Sequence, residues 1–133
     1  YRIVNRNSPL SIEKGRAWLV MKNLNLEKMQ ACAPIIEGKH DFTTFRSVNC
    51  QSKSPIKTLN SCKITQQDDN IYFGFVAPSF LQHQIRSLVG TIKMVGEGLW
   101  DIERFQQALD AKDRSKCGAL APAEGLYFME VKY

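Results

Sequence analysis

At 133 residues, with 44% hydrophobic and 23% charged side chains, the chain has the make-up of one ordinary globular domain. A domain of this size buries roughly two-thirds of the surface its unfolded form exposes. Apolar runs reach only a few residues, which excludes a membrane-spanning helix, and no secretory leader is expected from the opening residues. The formal net charge of +5 favours an anionic partner, nucleic acid or anionic lipid, without choosing between them.

The elements follow in chain order. Tyr1 to Arg6 reads as a strand, and a chain that opens in mid-strand is expected to be a piece of a longer polypeptide. Asn5 to Pro9 reads as a turn and Ala17 to Val20 as a short strand. From the cap Asn25, apolar Leu26, Met29, Ala33 and Ile36 recur at helical spacing until Gly38 stops the run. Asp41, two residues before Thr43, suits a turn cap. Ile56 to Thr65 alternates as one strand, Gln66 to Asn70 forms a polar hairpin loop, and Ile71 to Ala77 returns as a strand that Pro78 ends. The longest helix starts near Ser79, with Leu81, Ile85, Leu88, Val89, Ile92 and Val95 in one apolar stripe, and closes at Gly96-Glu-Gly98. A second helix begins at the cap Asp101 and runs through Ile102, Phe105, Ala108 and Leu109. Lys112 to Pro122 is a basic irregular loop, and Leu126 to Tyr133 a closing strand. The sum predicts a single α+β domain, an antiparallel sheet with helices packed on one face.

Between Lys39 and Lys63 five cations (Lys39, Arg46, Lys53, Lys57 and Lys63) face one acid, Asp41. The polar stretch from Arg46 to Lys57 has the composition of a loop that touches phosphates and sugar hydroxyls, or of a merely solvated one. On the long helix Arg86, Gly90 and Lys93 fall opposite the apolar stripe, with His83 nearby. Gly90, one turn after Arg86, allows a backbone or a ligand to approach closely. Arg86 can offer a bidentate fork to a carboxylate or phosphate, or stand as a solvated arginine. Cys32, Cys50, Cys62 and Cys117 show no paired zinc-ligand spacing, so free thiols in a reducing cytosol are expected, with no metal.

Ser79-Phe-Leu-Gln-His-Gln-Ile-Arg-Ser-Leu-Val-Gly90 closely resembles the Phe-Leu/Val-x-His-x-Val/Ile-Arg segment, with its trailing Val-Gly, of the bacterial tRNA pseudouridine synthase A family. Asp41-Phe-Thr-Thr-Phe-Arg46, Ala111-Lys-Asp-Arg114 and Ala121-Pro-Ala-Glu-Gly-Leu-Tyr-Phe128 resemble three further segments of that family in the same order. The resemblance implies an isomerase that detaches uracil from ribose and rejoins it through carbon in the anticodon arm of tRNA. It implies a cytoplasmic homodimer, no cofactor and no membrane, with catalysis by positioning and electrostatics.

By the same resemblance Arg86 matches the basic residue that pairs with the catalytic aspartate. Leu126 matches the aliphatic residue lining the uracil pocket, although on its own it reads as strand core. Tyr127, Phe80 and His83 belong to the substrate-side motifs, with a core or supporting place expected ahead of a catalytic one for Phe80 and His83. Arg46, Lys53 and Lys57 are the candidate RNA contacts. The family's Arg-Thr-Asp-Ala-Gly segment does not occur here, and Asp41, Asp101, Asp110 and Asp113 fall elsewhere, so none inherits the nucleophile. Tyr1 matches the second tyrosine of a Tyr-x-Tyr pair whose first member stacks on the target base. Ser87 stands where the family usually has asparagine.

The reading is therefore residues 1–133 as the C-terminal domain, without the domain that carries the aspartate, and inactive alone. Its main rival is a non-catalytic RNA-binding or dimerisation module. Gly96-Glu-Gly98 lacks a dinucleotide loop's third glycine, no serine sits in a nucleophile elbow, and no basic amphipathic helix suits a lipid surface.

Overall fold

The computed structural model describes residues 1–7, 15–47, 54–127 and 129. β1 (Arg2–Asn5) lies parallel to β2 (Trp18–Val20) and antiparallel to β6 (Asn70–Val76), which pairs on its other side with β5 (Ser61–Gln67). The resulting sheet has the order β2-β1-β6-β5. Alternation decides which face is covered: Cys62, Ile64, Ile71 and Phe73 are buried, whereas Lys63, Thr65, Tyr72 and Gly74 between them are exposed. A second, two-stranded antiparallel sheet joins β3 (Gly38–Asp41) to β4 (Ile56–Leu59).

Among the described residues four α-helices complete the α+β fold: α1 (Leu26–Gln30), α2 (Ala33–Ile36), α3 (Gln84–Glu97) and α4 (Ile102–Ala111). α1 and α2 pack on β5, and α1 also packs on α3. Met29, Ile36, Phe42, Phe45, Leu88, Ile92 and Phe105 are fully buried between these layers. Each such side chain contributes roughly 1.5–3 kcal/mol by leaving water. The close approach of α1 to α3 needs Gly96, where a Cβ would come within 2.7 Å of Met29. Cys32 and Cys62 sit in the same core, and burial pushes both thiols up to about 12. Among the described residues no helix is long and apolar enough to cross a membrane.

Several boundaries differ from the sequence reading, each for a local reason. The helix expected from Asn25 to Gly38 is two short ones. Asn25 caps the first by accepting from Lys28 N at 3.1 Å. Pro34 then lacks the N–H that would bond back to Gln30, and its ring would strike that carbonyl, so the chain restarts with the proline in the first turn of α2. The single strand expected from Ile56 to Thr65 changes sheets at Asn60, whose N–H donates to Val76 O at 2.7 Å. Gly38 to Asp41 forms β3 where a stop was expected. The hairpin turn shrinks to Asp68-Asp69, with Asp68 at φ 55. The β1–β2 pair is parallel in an otherwise antiparallel sheet.

α3 begins at Gln84 instead of near Ser79, because His83 takes a left-handed φ of 64 and Gln84 folds its side chain back to accept from Leu81 N at 2.8 Å. Gly98 ends it in the left-handed conformation, as expected. Asp101 caps α4 through Arg104 N at 2.8 Å. Leu126 and Tyr127 follow a 3-10 turn (Ala123–Gly125) and are not in a strand; the rest of the strand expected to run to Tyr133 lies outside the described residues, apart from Met129. Ser8 and Pro9 of the expected turn also lie outside them.

Candidate active site

Arg86 sits in the first turn of α3, half-buried. Its backbone carbonyl accepts from Ala121 N at 3.0 Å, and its Nε donates to Ala121 O at 2.8 Å. One residue is thus gripped by both ends of the arginine. Only one of the five guanidinium N–H groups is used this way. Among the described residues no carboxylate pairs with the guanidinium, so its terminal fork remains able to take a carboxylate or phosphate in a bidentate bond.

The stretch that carries Ala121 is laid along α3 by small residues. A Cβ on Gly90 would lie 2.0 Å from Ala119 O, so the backbone of 119–121 takes the space a side chain would fill. One turn on, a Cβ at Gly118 would meet Met94 Sδ at 2.7 Å, and Gly118 N donates to Thr91 Oγ1 at 3.1 Å. Thr91 Oγ1 donates in turn to Ser87 O at 2.8 Å. The backbone approach anticipated at Gly90 is therefore met by this chain's own loop. Lys93, expected on the same side, serves elsewhere: it pairs with Glu97 and lies 5.3 Å from the Trp18 ring centroid.

Beyond Ala121 the chain turns through Pro122 to Gly125 and presents Leu126. Leu126 is 44% exposed and Tyr127 43%, so neither is the strand core that Leu126's composition alone suggested. The Tyr127 hydroxyl donates to Arg16 O, which fixes the ring's far end. Phe80, 37% exposed, precedes α3, and half-buried His83 occupies the left-handed position at its start with no side-chain capping bond.

A second pair of motifs meets nearby. Asp41 Oδ1 accepts from Thr43 N at 2.9 Å and from Thr43 Oγ1 at 2.6 Å, the cap expected from sequence. Partial burial would raise the Asp41 pKa, but those two bonds, then Lys112 and Arg46, outweigh it and hold the carboxyl below its ordinary value. Thr44 Oγ1 donates to Ala108 O at 2.6 Å and accepts from Asp113 N at 3.1 Å, while Arg114 Nε donates to Arg46 O at 2.7 Å. The Asp41–Arg46 and Ala111–Arg114 segments are thereby locked together, and exposed Lys112, Arg114 and Lys116 join Arg46 in one basic region. Ser47 N donates to Gln82 O at 3.0 Å, which ties that region to the turn entering α3.

Lys57 lies on β4 opposite His40, and Lys53 lies outside the described residues. Sequence reasoning missed two arrangements: the Lys112–Lys116 cations near Arg46, and Tyr1 bonding the residue next to the one that Arg86 holds. For the first, the signal was present in the Ala-Lys-Asp-Arg string. For the second, no local pattern could have shown it.

These features define a basic α+β domain with a half-buried arginine on α3 that no carboxylate pairs among the described residues. A family model described as "tRNA pseudouridine synthase" matches residues 33–133, and the chain belongs to that family. It is 50% identical over all its residues to the tRNA pseudouridine synthase A of Parvibaculum lavamentivorans, covering 54% of that protein. It is 47% identical over its whole length to the proteins so named from Caulobacter vibrioides and Rhizobium leguminosarum bv. trifolii, covering 54% and 50% of them. The chain thus spans about half the length of the curated relatives it matches.

Proposed function

We propose that residues 1–133 are the C-terminal half of a cytoplasmic, homodimeric isomerase that converts uridine to pseudouridine in the anticodon arm of tRNA. The bond from uracil N1 to the ribose breaks, a bond from uracil C5 forms, and the C5 hydrogen leaves as N1 gains a proton, with no net oxidation. Arg86 takes the aspartate supplied by the preceding half in its terminal fork, keeping it ionised and aimed. Leu126 lines the uracil pocket, with Tyr127, Phe80 and His83 around it. Arg46, Lys53 and Lys57, with Lys112 and Arg114, contact tRNA phosphates.

The observation that carries this reading is the half-buried Arg86, bonded through Nε to Ala121 O and in no ion pair with a carboxylate among the described residues. A guanidinium held that firmly suits a partner from outside. Tritium release from tRNA labelled at uracil C5 tests it. The full-length protein is expected to release label, and residues 1–133 alone are expected to release none. Release by the isolated chain would defeat the assignment of the nucleophile to the other half. No release by the full-length protein would defeat the isomerase reading itself.

A further inference from the structure

Two side chains hold the turn that presents Leu126, and only one of them is Arg86. Tyr1 is 8% exposed, packs edge-on against Trp18 with ring centroids 6.4 Å apart, and donates its hydroxyl to Pro122 O. Its ring also fills the space beside Gly125, where a Cβ would come within 2.5 Å of Tyr1 Cε1 and 2.6 Å of Arg2 O. Arg86 holds the preceding residue, Ala121, through Nε and its backbone carbonyl. Adjacent residues 121 and 122 are thus fixed by an arginine from α3 and the tyrosine that immediately precedes β1. Leu126, with 44% of its surface exposed, has little packing of its own to fix it.

We propose that Tyr1 is a positioning residue: with Arg86 it clamps the Ala121–Leu126 turn and so sets the guanidinium and the pocket leucine at a fixed separation. Burial pushes the phenol well above its ordinary value, the Glu124 carboxylate adds to that rise, and Arg86 and the Gly125 backbone oppose it without reversing it. The hydroxyl therefore remains a donor to Pro122 throughout neutral pH. This role rests on the isomerase reading, because the clamp matters to chemistry only if Arg86 and Leu126 act on one uridine. A misplacement of about 1 Å in such a pair costs on the order of a hundredfold in rate.

Tyr1→Phe in the full-length protein keeps the ring and removes the bond to Pro122. The kcat for tritium release is expected to fall about tenfold or more, with KM for tRNA unchanged within about twofold, because positioning is lost and binding is not. Amide exchange at Gly125 and Leu126 is expected to quicken relative to Ile71 and Phe73 in β6, a reading that needs no activity. An unchanged kcat, a rise in KM alone, or unchanged exchange at the turn would each overturn the clamp. Faster exchange in a protein whose unmutated form releases no tritium would uphold the clamp and overturn the isomerase reading.

Discussion

At Arg86 the side chain and the backbone of one residue bond the same neighbour, Ala121. On the proposed function, such a guanidinium has fewer rotamers to lose when the aspartate arrives, which would be the physical advantage of arginine over lysine here. Arg86→Lys should therefore lower activity nearly as far as Arg86→Ala, although it keeps the charge. A Lys variant active within about threefold of the unmutated protein would show that charge alone suffices. Asp41 gives a separate test. Its pKa is depressed, so its contribution to stability is complete above the ordinary carboxylate value and is lost as pH falls through the lower folded value. Asp41→Asn should accordingly be less stable than the unmutated protein near pH 7, and the gap should close below about pH 4. A gap in denaturation midpoint that does not change with pH would contradict this. Asp41 and Asn25 were legible as caps because a short side-chain acceptor bonding an amide two or three residues on is a local event. The left-handed His83 was not legible, since it depends on Gln84 folding back onto Leu81 and on β6 ending where it does.

Among the elements, α3 does two jobs with two faces. Leu88, Ile92 and Val95 point to the core, and Ser87, Gly90 and Thr91 carry the 117–121 loop, all buried. Replacing Gly90 by alanine sets two effects against each other. Alanine is better by about 1 kcal/mol in a helix interior. Against it, a Cβ 2.0 Å from the Ala119 carbonyl must displace backbone, and forcing an extra methyl into a packed site typically costs about 1–3 kcal/mol, or more when backbone must move. The clash should win, with a loss of roughly 2 kcal/mol and a fall in Tm of roughly 4–8 °C. A Tm equal to or above that of the unmutated protein would mean the loop does not sit on Gly90. The apolar stripe of α3 was readable because helical period is written in the sequence. The second buried face was not, because small and polar residues become buried only when another segment covers them. The single strand expected from Ile56 to Thr65 failed for a related reason: alternation continues across Asn60 and carries no mark of a change of sheet.

For the whole molecule, four sequence motifs separated by up to 80 positions close into two contacts, Asp41–Arg46 with Ala111–Arg114 and Arg86–Gly90 with Ala119–Ala121. Their order along the chain was visible in the sequence; which one touches which was not, because that depends on how α4 and its following loop return across the domain. The lysines expected from sequence to contact RNA give a test at this scale. Lys53→Gln with Lys57→Gln should weaken tRNA binding and reduce the slope of log affinity against log salt by roughly 0.7–0.9 for each phosphate contact removed. An unaltered slope would place those lysines away from the RNA. On the proposed function the Arg86 guanidinium is prepared for a carboxylate that the described residues do not supply. Tritium release by the full-length protein carrying Arg86→Ala measures that most directly. Activity should fall on the order of a thousandfold while tRNA affinity stays within about twofold, as expected for a group whose partner acts in the chemical step. Release close to that of the unmutated protein would contradict it.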